Sequence, residues 1–174
     1  TANNWEGVEL DYSSDNNIGR NTIAANNRHG IYLYYSSYNS ISGNNITANN
    51  GPGISLSYSS NNNSLSGNMF TNDGLIVVDS YQNSVANNTV NGKPLVYLED
   101  VSGYTVEDAG QVILVNCTSI RVKNLNLSYT IAGVQLSHTT NTNITNSKIA
   151  NNLVGVYLYH SSNNTVSGNN IANN

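Results

Sequence analysis

The chain has 174 residues, only 9% of them charged, with six Lys or Arg against ten Asp or Glu and a net charge of −4. No basic cluster is present to neutralise a phosphate backbone, which argues against nucleic acid as a partner. No apolar run approaches the roughly 20 residues that span a bilayer, and the single Cys117 cannot build an intrachain disulfide framework.

Asn accounts for 35 residues, about a fifth of the chain, and 12 tyrosines supply nearly all the aromatic content. The surface is therefore polar but uncharged. With two prolines and so few charges, the composition does not read as disordered.

Internal periodicity organises the chain. Gly7 leads "VEL", Gly30 "IYL", Gly53 "ISL" and Gly74 "LIV", at spacings of 23, 23 and 21. Gly133 then leads "VQL" and Gly155 "VYL", 22 apart. Further along each repeat stand Ile18, Ile41, Leu65, Val85, Ile144 and Val166. Five residues after each of these stands a second apolar residue: Ile23, Ile46, Phe70, Val90, Ile149 and Ile171. Helical spacing is absent, and alternation rich in β-branched residues predicts short strands. A unit of 21–23 residues without a helix cannot bury its own apolar side, whereas stacked copies can. The expected fold is all-β, a right-handed parallel β-helix of about seven rungs.

The polar columns are as regular as the apolar ones. Asn16, Asn39, Asn63, Asn83, Thr142 and Asn164 stand two residues before one apolar column. Asn21, Asn44, Asn68, Asn88, Ser147 and Asn169 stand two before the next. Asn tolerates the left-handed backbone of a tight corner, and its amide can bond nearby backbone. Stacked in register, each amide can also donate to the amide one rung along. The ten asparagines of these columns are therefore expected to form structural ladders.

The middle of the chain departs from the pattern. Asn91 to Gln111 lacks the repeat glycine and holds Glu99, Asp100, Glu107 and Asp108. "PLVYLEDVSGYTV" reads as two strands about a turn near Ser102 and Gly103, hence a β-hairpin inserted over 91–110. After it, Ile120 and Leu125, five apart, resume a rung. One domain over 1–174 is expected, with rungs in 1–90 and 111–174.

The repeat "GIYLYYSSYNSISGNNI" and the interlude "NGKPLVYL…DAGQVILVNCTSIRVKNLNLS" resemble the NosD-like family of right-handed parallel β-helices. That family lies within the wider carbohydrate-binding and sugar-hydrolase repeat superfamily. The resemblance extends over nearly the whole chain, and the Asn-, Ser- and Tyr-rich style looks most like archaeal cell-surface members. It implies an extracellular or cell-surface setting. It also brings in members that assist copper assembly and, in the wider superfamily, enzymes that act on polysaccharides.

Several residues are candidates for more than structure. Alternation should turn Tyr32, Tyr34, Tyr157 and Tyr159 outward, where they could stack on sugar rings or anchor a partner. Glu9 and Asp11 share that face, but no acid on an adjacent rung joins them as a glycosidase pair would require. They read as a solvated edge, and no catalytic residue is assigned. His138 and His160 should stack one rung apart, a weak candidate for a metal ion. Asn45, Asn62, Asn87, Asn116, Asn126, Asn143 and Asn163 begin Asn-x-Ser/Thr sequons and could carry glycans. No cofactor is expected.

No capping segment is recognisable at either end. The expected partners are therefore other copies of the chain, or flanking rungs of a longer β-helix, meeting it through open ends. The resulting expectation is a structural, non-enzymatic surface protein, a filament or surface-layer subunit. The alternatives are a carbohydrate-binding module or sugar-active enzyme using the tyrosine face, and a copper-handling accessory protein.

Overall fold

The computed structural model describes residues 5–174, which contain strands and turns and no helix. The chain divides into two compact units, Thr1–Gly92 and Lys93–Asn174. Each is a parallel β-solenoid, and together they supply about eight coils.

In the first unit every coil contributes three short strands. The first strands are Val8–Asp11, Ile31–Tyr34, Ile54–Ser57 and Leu75–Val78, paired in parallel and in register, with Leu10 opposite Leu33 and Leu33 opposite Leu56. The second strands are Asn17–Gly19, Ser40–Ser42, Ser64–Ser66 and Ser84–Ala86. The third are Thr22–Ala24, Asn45–Thr47, Met69–Thr71 and Thr89–Val90. Parallel register stacks like on like, so Ile31, Leu33, Ile41, Ile46, Ile54, Leu56 and Leu75 are completely buried. Burying each such side chain contributes about 1.5–3 kcal/mol, which a lone coil could not obtain.

The repeat glycine is required by space. A Cβ on Gly30 would sit 2.5 Å from the carbonyl oxygen of Gly53 and 2.9 Å from Asn49 Nδ2. Coils approach so closely at this column that no side chain fits between them.

The second unit begins where the sequence predicts a hairpin, and there the expectation is corrected. Lys93–Glu99 runs parallel to Gln111–Val115, with Leu95 opposite Gln111 and Glu99 opposite Val115. Thr105–Val106 likewise runs parallel to Arg121–Lys123. Residues 93–106 are thus part of a coil, and "DVSG" is its corner, with Asp100 and Gly103 at positive φ of 57° and 70°. A projecting hairpin would leave Val96, Leu98, Val101 and Val106 in water. The coil instead packs all four against the core of Val112, Leu114, Val122, Val134 and Leu136. The remaining strands of this unit are Asn126–Ser128, Ala132–Ser137, Asn143–Thr145, Lys148–Ala150, Val154–Tyr159, Thr165–Ser167 and Asn170–Ala172.

A second correction concerns register. Val122, not Ile120, stands in the column of Ile144 and Val166. Leu127, not Leu125, stands with Ile149 and Ile171. Both pairs are five apart and both are buried, so spacing alone could not choose between them.

Candidate functional site

The asparagine columns decide which residues remain available for function. In the first unit Asn16 Nδ2 donates to Asn39 Oδ1 at 3.1 Å, and Asn39 Nδ2 to Asn63 Oδ1 at 3.2 Å. The backbone N–H of Asn63 reaches Asn83 Oδ1 at 2.9 Å. The second column runs Asn21 to Asn44 at 3.1 Å, Asn44 to Asn68 at 2.9 Å and Asn68 to Asn88 at 2.9 Å. Each Oδ1 also accepts the backbone N–H of the preceding coil's asparagine, as Asn68 Oδ1 does from Asn44 N at 3.0 Å. The remaining amide hydrogen of Asn44 and of Asn68 bonds a carbonyl, that of Ile18 and Ile41 respectively, and Asn88, which ends the column, donates to the carbonyls of Leu65 and Ala86. These amides are committed to neighbouring coils.

Their conformation differs from the sequence expectation. The left-handed seat lies one residue earlier, at Tyr38 before Asn39 (φ 60°), Gly43 before Asn44 (φ 64°), Asn62 before Asn63 (φ 56°) and Gly67 before Asn68 (φ 63°). The ladder asparagines are needed for their amides and not for a tolerance of positive φ. In the second unit Asn164 Oδ1 accepts from Thr142 N at 2.9 Å and Asn169 Oδ1 from Ser147 N at 2.9 Å.

Sequence reading missed a third column. Asn26 Nδ2 donates to Asn49 Oδ1 at 2.7 Å, and Asn49 Nδ2 to Asp73 Oδ2 at 2.7 Å. Asn152 Nδ2 reaches Asn174 Oδ1 at 2.9 Å in the same way. The signal was present, since these residues stand three after Ile23, Ile46, Phe70, Ile149 and Ile171. Asp73 is 3% exposed, and burial pushes its carboxyl up to about 6 despite the N–H groups of Asn49, Gly74 and Gly53 that favour the anion. Cys117 occupies the hydroxyl column of its unit: its N–H donates to Thr139 Oγ1 at 3.2 Å, and burial pushes its thiol up.

The first strands carry the aromatic residues. Tyr12, Tyr35 and Tyr58 follow those strands at positive-φ corners of 46°, 45° and 50°. Tyr12 and Tyr35 stack with ring centroids 5.1 Å apart and planes 9° apart. Tyr35 and Tyr58 lie 6.1 Å apart at 29°. Tyr34 inserts edge-on against all three, at 5.9 Å from Tyr12, 4.6 Å from Tyr35 and 5.3 Å from Tyr58. The Tyr32 ring is covered on one side by His29, 4.7 Å away and nearly parallel. Tyr32 and Tyr34 are half-buried, whereas the corner tyrosines Tyr12, Tyr35 and Tyr58 are exposed. Burial, then neighbouring Tyr34 and Tyr58, pushes the Tyr32 phenol up. Glu9 and Asp11 are exposed on the same sheet, opposite Tyr32 and Tyr34. Beside this surface Glu6 Oε1 meets Arg28 at 3.2 Å and His29 Nδ1 at 3.0 Å, and Arg28 lies over the Trp5 ring.

In the second unit Tyr157 and Tyr159 are half-buried, with rings 6.4 Å apart. His138 and His160 stack at 5.1 Å and 28°, with Tyr159 edge-on to His160 at 4.2 Å. Among the described residues no group of three or more His, Cys, Asp or Glu is placed to hold a metal ion. The imidazole pair supplies two ligands where a closed site needs about four, so no metal chemistry is derived from it.

The sequon asparagines all lie on the outside of their coils. Asn45, Asn126 and Asn143 are exposed on strands, while Asn87, Asn116 and Asn163 are exposed at positive-φ corners. Asn62 occupies a similar corner but is half-buried. Asn116 Nδ2 already donates to Asp100 Oδ1.

A parallel β-solenoid bonded at its corners by side-chain ladders, with aromatic residues on the outer face of its first sheet, is the class this geometry defines. Within that class the chain belongs to the NosD family: the family model, described as "Periplasmic copper-binding protein (NosD)", matches residues 1–105 and again 71–174. Among solved structures, the A-module of the mannuronan C-5 epimerase AlgE6 from Azotobacter vinelandii is similar at 16% identity with a TM-score of 0.44. The match covers 98% of this chain and 56% of that one, so the chain spans just over half the length of that structure. No curated protein matches the chain. No helix of the described residues is long and apolar enough to cross a membrane.

Proposed function

We propose that this chain is a structural module outside the cytoplasm, stacking against further coils, flanking or from another copy, as part of a filament or surface layer. The observation that carries this reading is the Asn21–Asn44–Asn68–Asn88 column, in which each coil receives the previous one through side chain and backbone alike. Such a column commits its polar groups to stacking and offers no reacting group. Electron microscopy of the purified chain at high protein concentration is expected to show filaments or layers. Discrete particles with no end-to-end contact would overturn the reading.

A second reading, glycan binding, is favoured by the aromatic surface of Tyr12, Tyr34, Tyr35 and Tyr58. The pairwise stacking leaves mostly ring edges and hydroxyls toward solvent, so recognition would combine hydrogen bonds with contact at the outer face of Tyr12. Glycan-array binding that survives in a Tyr32→Ala/Tyr157→Ala variant but disappears in Tyr12→Ala/Tyr35→Ala would place a ligand on this surface. Absence of array binding by the parent chain would remove the reading. The copper role in the family's description would fall on His138 and His160, and copper titration against His138→Ala tests it. Glycans on the exposed sequons, read by mass spectrometry of protein from its native source, would support the surface setting.

A further inference from the structure

The first unit holds two exposed phenols lying parallel on consecutive coils. Tyr12 and Tyr35 are 72% and 41% exposed. Register fixes their backbones, because Val8–Asp11 pairs residue for residue with Ile31–Tyr34. The Tyr12 N–H also donates to the Tyr34 carbonyl at 3.0 Å. Their rings face each other at 5.1 Å with planes 9° apart.

We propose that Tyr12 and Tyr35 form an oxidative cross-linking site, joined by a carbon–carbon bond between the ring carbons ortho to their hydroxyls. The required co-reactant is a one-electron oxidant of the peroxidase class, using hydrogen peroxide. Each phenol gives up one electron and one proton and becomes a phenoxyl radical, whose unpaired electron is shared with the ortho carbons. The two radicals combine at those carbons. The hydrogen on each joined carbon then moves to the ring's own oxygen, which restores both hydroxyls and both aromatic rings. One hydrogen peroxide takes up the two hydrogens lost and leaves as two waters, so atoms and electrons balance.

Geometry selects this pair over its neighbours. Tyr34 and Tyr35 are closer, at 4.6 Å, but their planes stand at 87°, so an edge of one ring meets the face of the other and the two rims do not run alongside each other. Tyr34 and Tyr12 meet at 84° with the same consequence. Tyr35 and Tyr58 are less parallel and farther apart, at 29° and 6.1 Å. Of these pairs, Tyr12 and Tyr35 bring the most nearly parallel faces closest together, with both rings open to an oxidant. The bond would lock coil to coil in a chain whose single Cys117 can form no internal disulfide.

The test treats dilute full-length protein with peroxidase and hydrogen peroxide, then digests it and identifies cross-linked peptides by mass spectrometry. Tyr38 and Tyr104 are the internal controls, because they are 63% and 52% exposed but join no ring pair among the described residues. The expected result is one dominant intramolecular link, two hydrogens lighter than its parts, between the peptides bearing Tyr12 and Tyr35. It should be lost in Tyr12→Phe and in Tyr35→Phe, which keep the stacked rings and the fold but lack the hydroxyl. It should persist in Tyr38→Phe and Tyr104→Phe. A link of equal yield in Tyr35→Phe would overturn the proposal. So would products dominated by Tyr38, Tyr104 or intermolecular pairs, or no link under conditions that couple N-acetyltyrosine.

Discussion

In the first unit Asn44 and Asn68 pass a side-chain bond from coil to coil at 2.9 Å. In the second unit the equivalent column reads Leu125, Ser147 and Asn169. There the Leu125 N–H donates to Ser147 Oγ at 3.1 Å and the Ser147 N–H to Asn169 Oδ1 at 2.9 Å. The neighbouring column reads Ile120, Thr142 and Asn164, with the Ile120 N–H donating to Thr142 Oγ1 at 3.3 Å. Both units therefore satisfy the same backbone N–H at the same corner. They differ in what the column does next. An amide accepts from the coil before and donates to the coil after, so it propagates. A hydroxyl has one proton, and Ser147 spends it on the Thr145 carbonyl of its own coil at 3.0 Å. Ile120 and Leu125 show further that the seat faces the core, since aliphatic side chains fill it and are buried. The corner requires an acceptor for the preceding coil, and the amide-to-amide relay is an addition confined to stretches of asparagine.

The largest expected effect breaks that relay. Asn68 accepts two bonds from Asn44 and donates to Ile41 O and Asn88 Oδ1, all within the interior of the first unit. Asn68→Ala leaves donors and acceptors unpaired on both sides, for a loss of about 3–5 kcal/mol. Urea unfolding, together with faster hydrogen exchange at the Asn44 amide, is the measurement.

An intermediate effect comes from Asp73, where a carboxyl replaces the amide in the third column of the first unit. Its folded-state pKa is raised to about 6, so the folded chain keeps a proton that the unfolded chain has released. The stabilisation is fully present below the ordinary carboxylate range, near pH 4, and is lost as pH rises through about 6. Stability of the first unit should therefore fall by about 2 kcal/mol between pH 4 and pH 8 on account of this group. Asp73→Asn should remove that slope, while setting an amide NH2 against the N–H donors that the two carboxylate oxygens now accept from. Urea midpoints across that pH range check it, and equal slopes in the two chains would contradict it.

The smallest effect tests the hydroxyl version of the corner. Ser147→Ala removes one acceptor for Leu125 N and one donor to Thr145 O, for a loss of about 1–2 kcal/mol. If this loss matched that of Asn68→Ala, the distinction between relay and simple acceptor would collapse.

Much of this was legible in the residues because a parallel stack repeats its chemistry at fixed intervals. The column of Gly7, Gly30 and Gly53 and the aliphatics behind it mark coils without reference to coordinates. Asn26, Asn49 and Asp73 obey an equally regular spacing, but in a chain so rich in Asn their column was masked by its surroundings. Apolar residues at both 120 and 122, and at both 125 and 127, left register undecided, because either choice preserves the gap of five. The segment 93–106 alternates as any strand pair does, and its parallel partners stand more than a dozen residues away at 111–115 and 121–123.

The sequence by itself determined the kind of coil, its length and the residues that face its interior, because burial on one side of a short strand imposes a period that can be counted. The tertiary structure alone decided which neighbours cover an outward ring. Alternation turns Tyr32 and Tyr34 to the outside, yet the His29 ring lies against Tyr32, and the corner tyrosines Tyr12, Tyr35 and Tyr58 lie against Tyr34 and take the exposed positions. Side-chain direction follows from local backbone geometry, whereas exposure depends on side chains that the chain delivers one coil, some 23 residues, away.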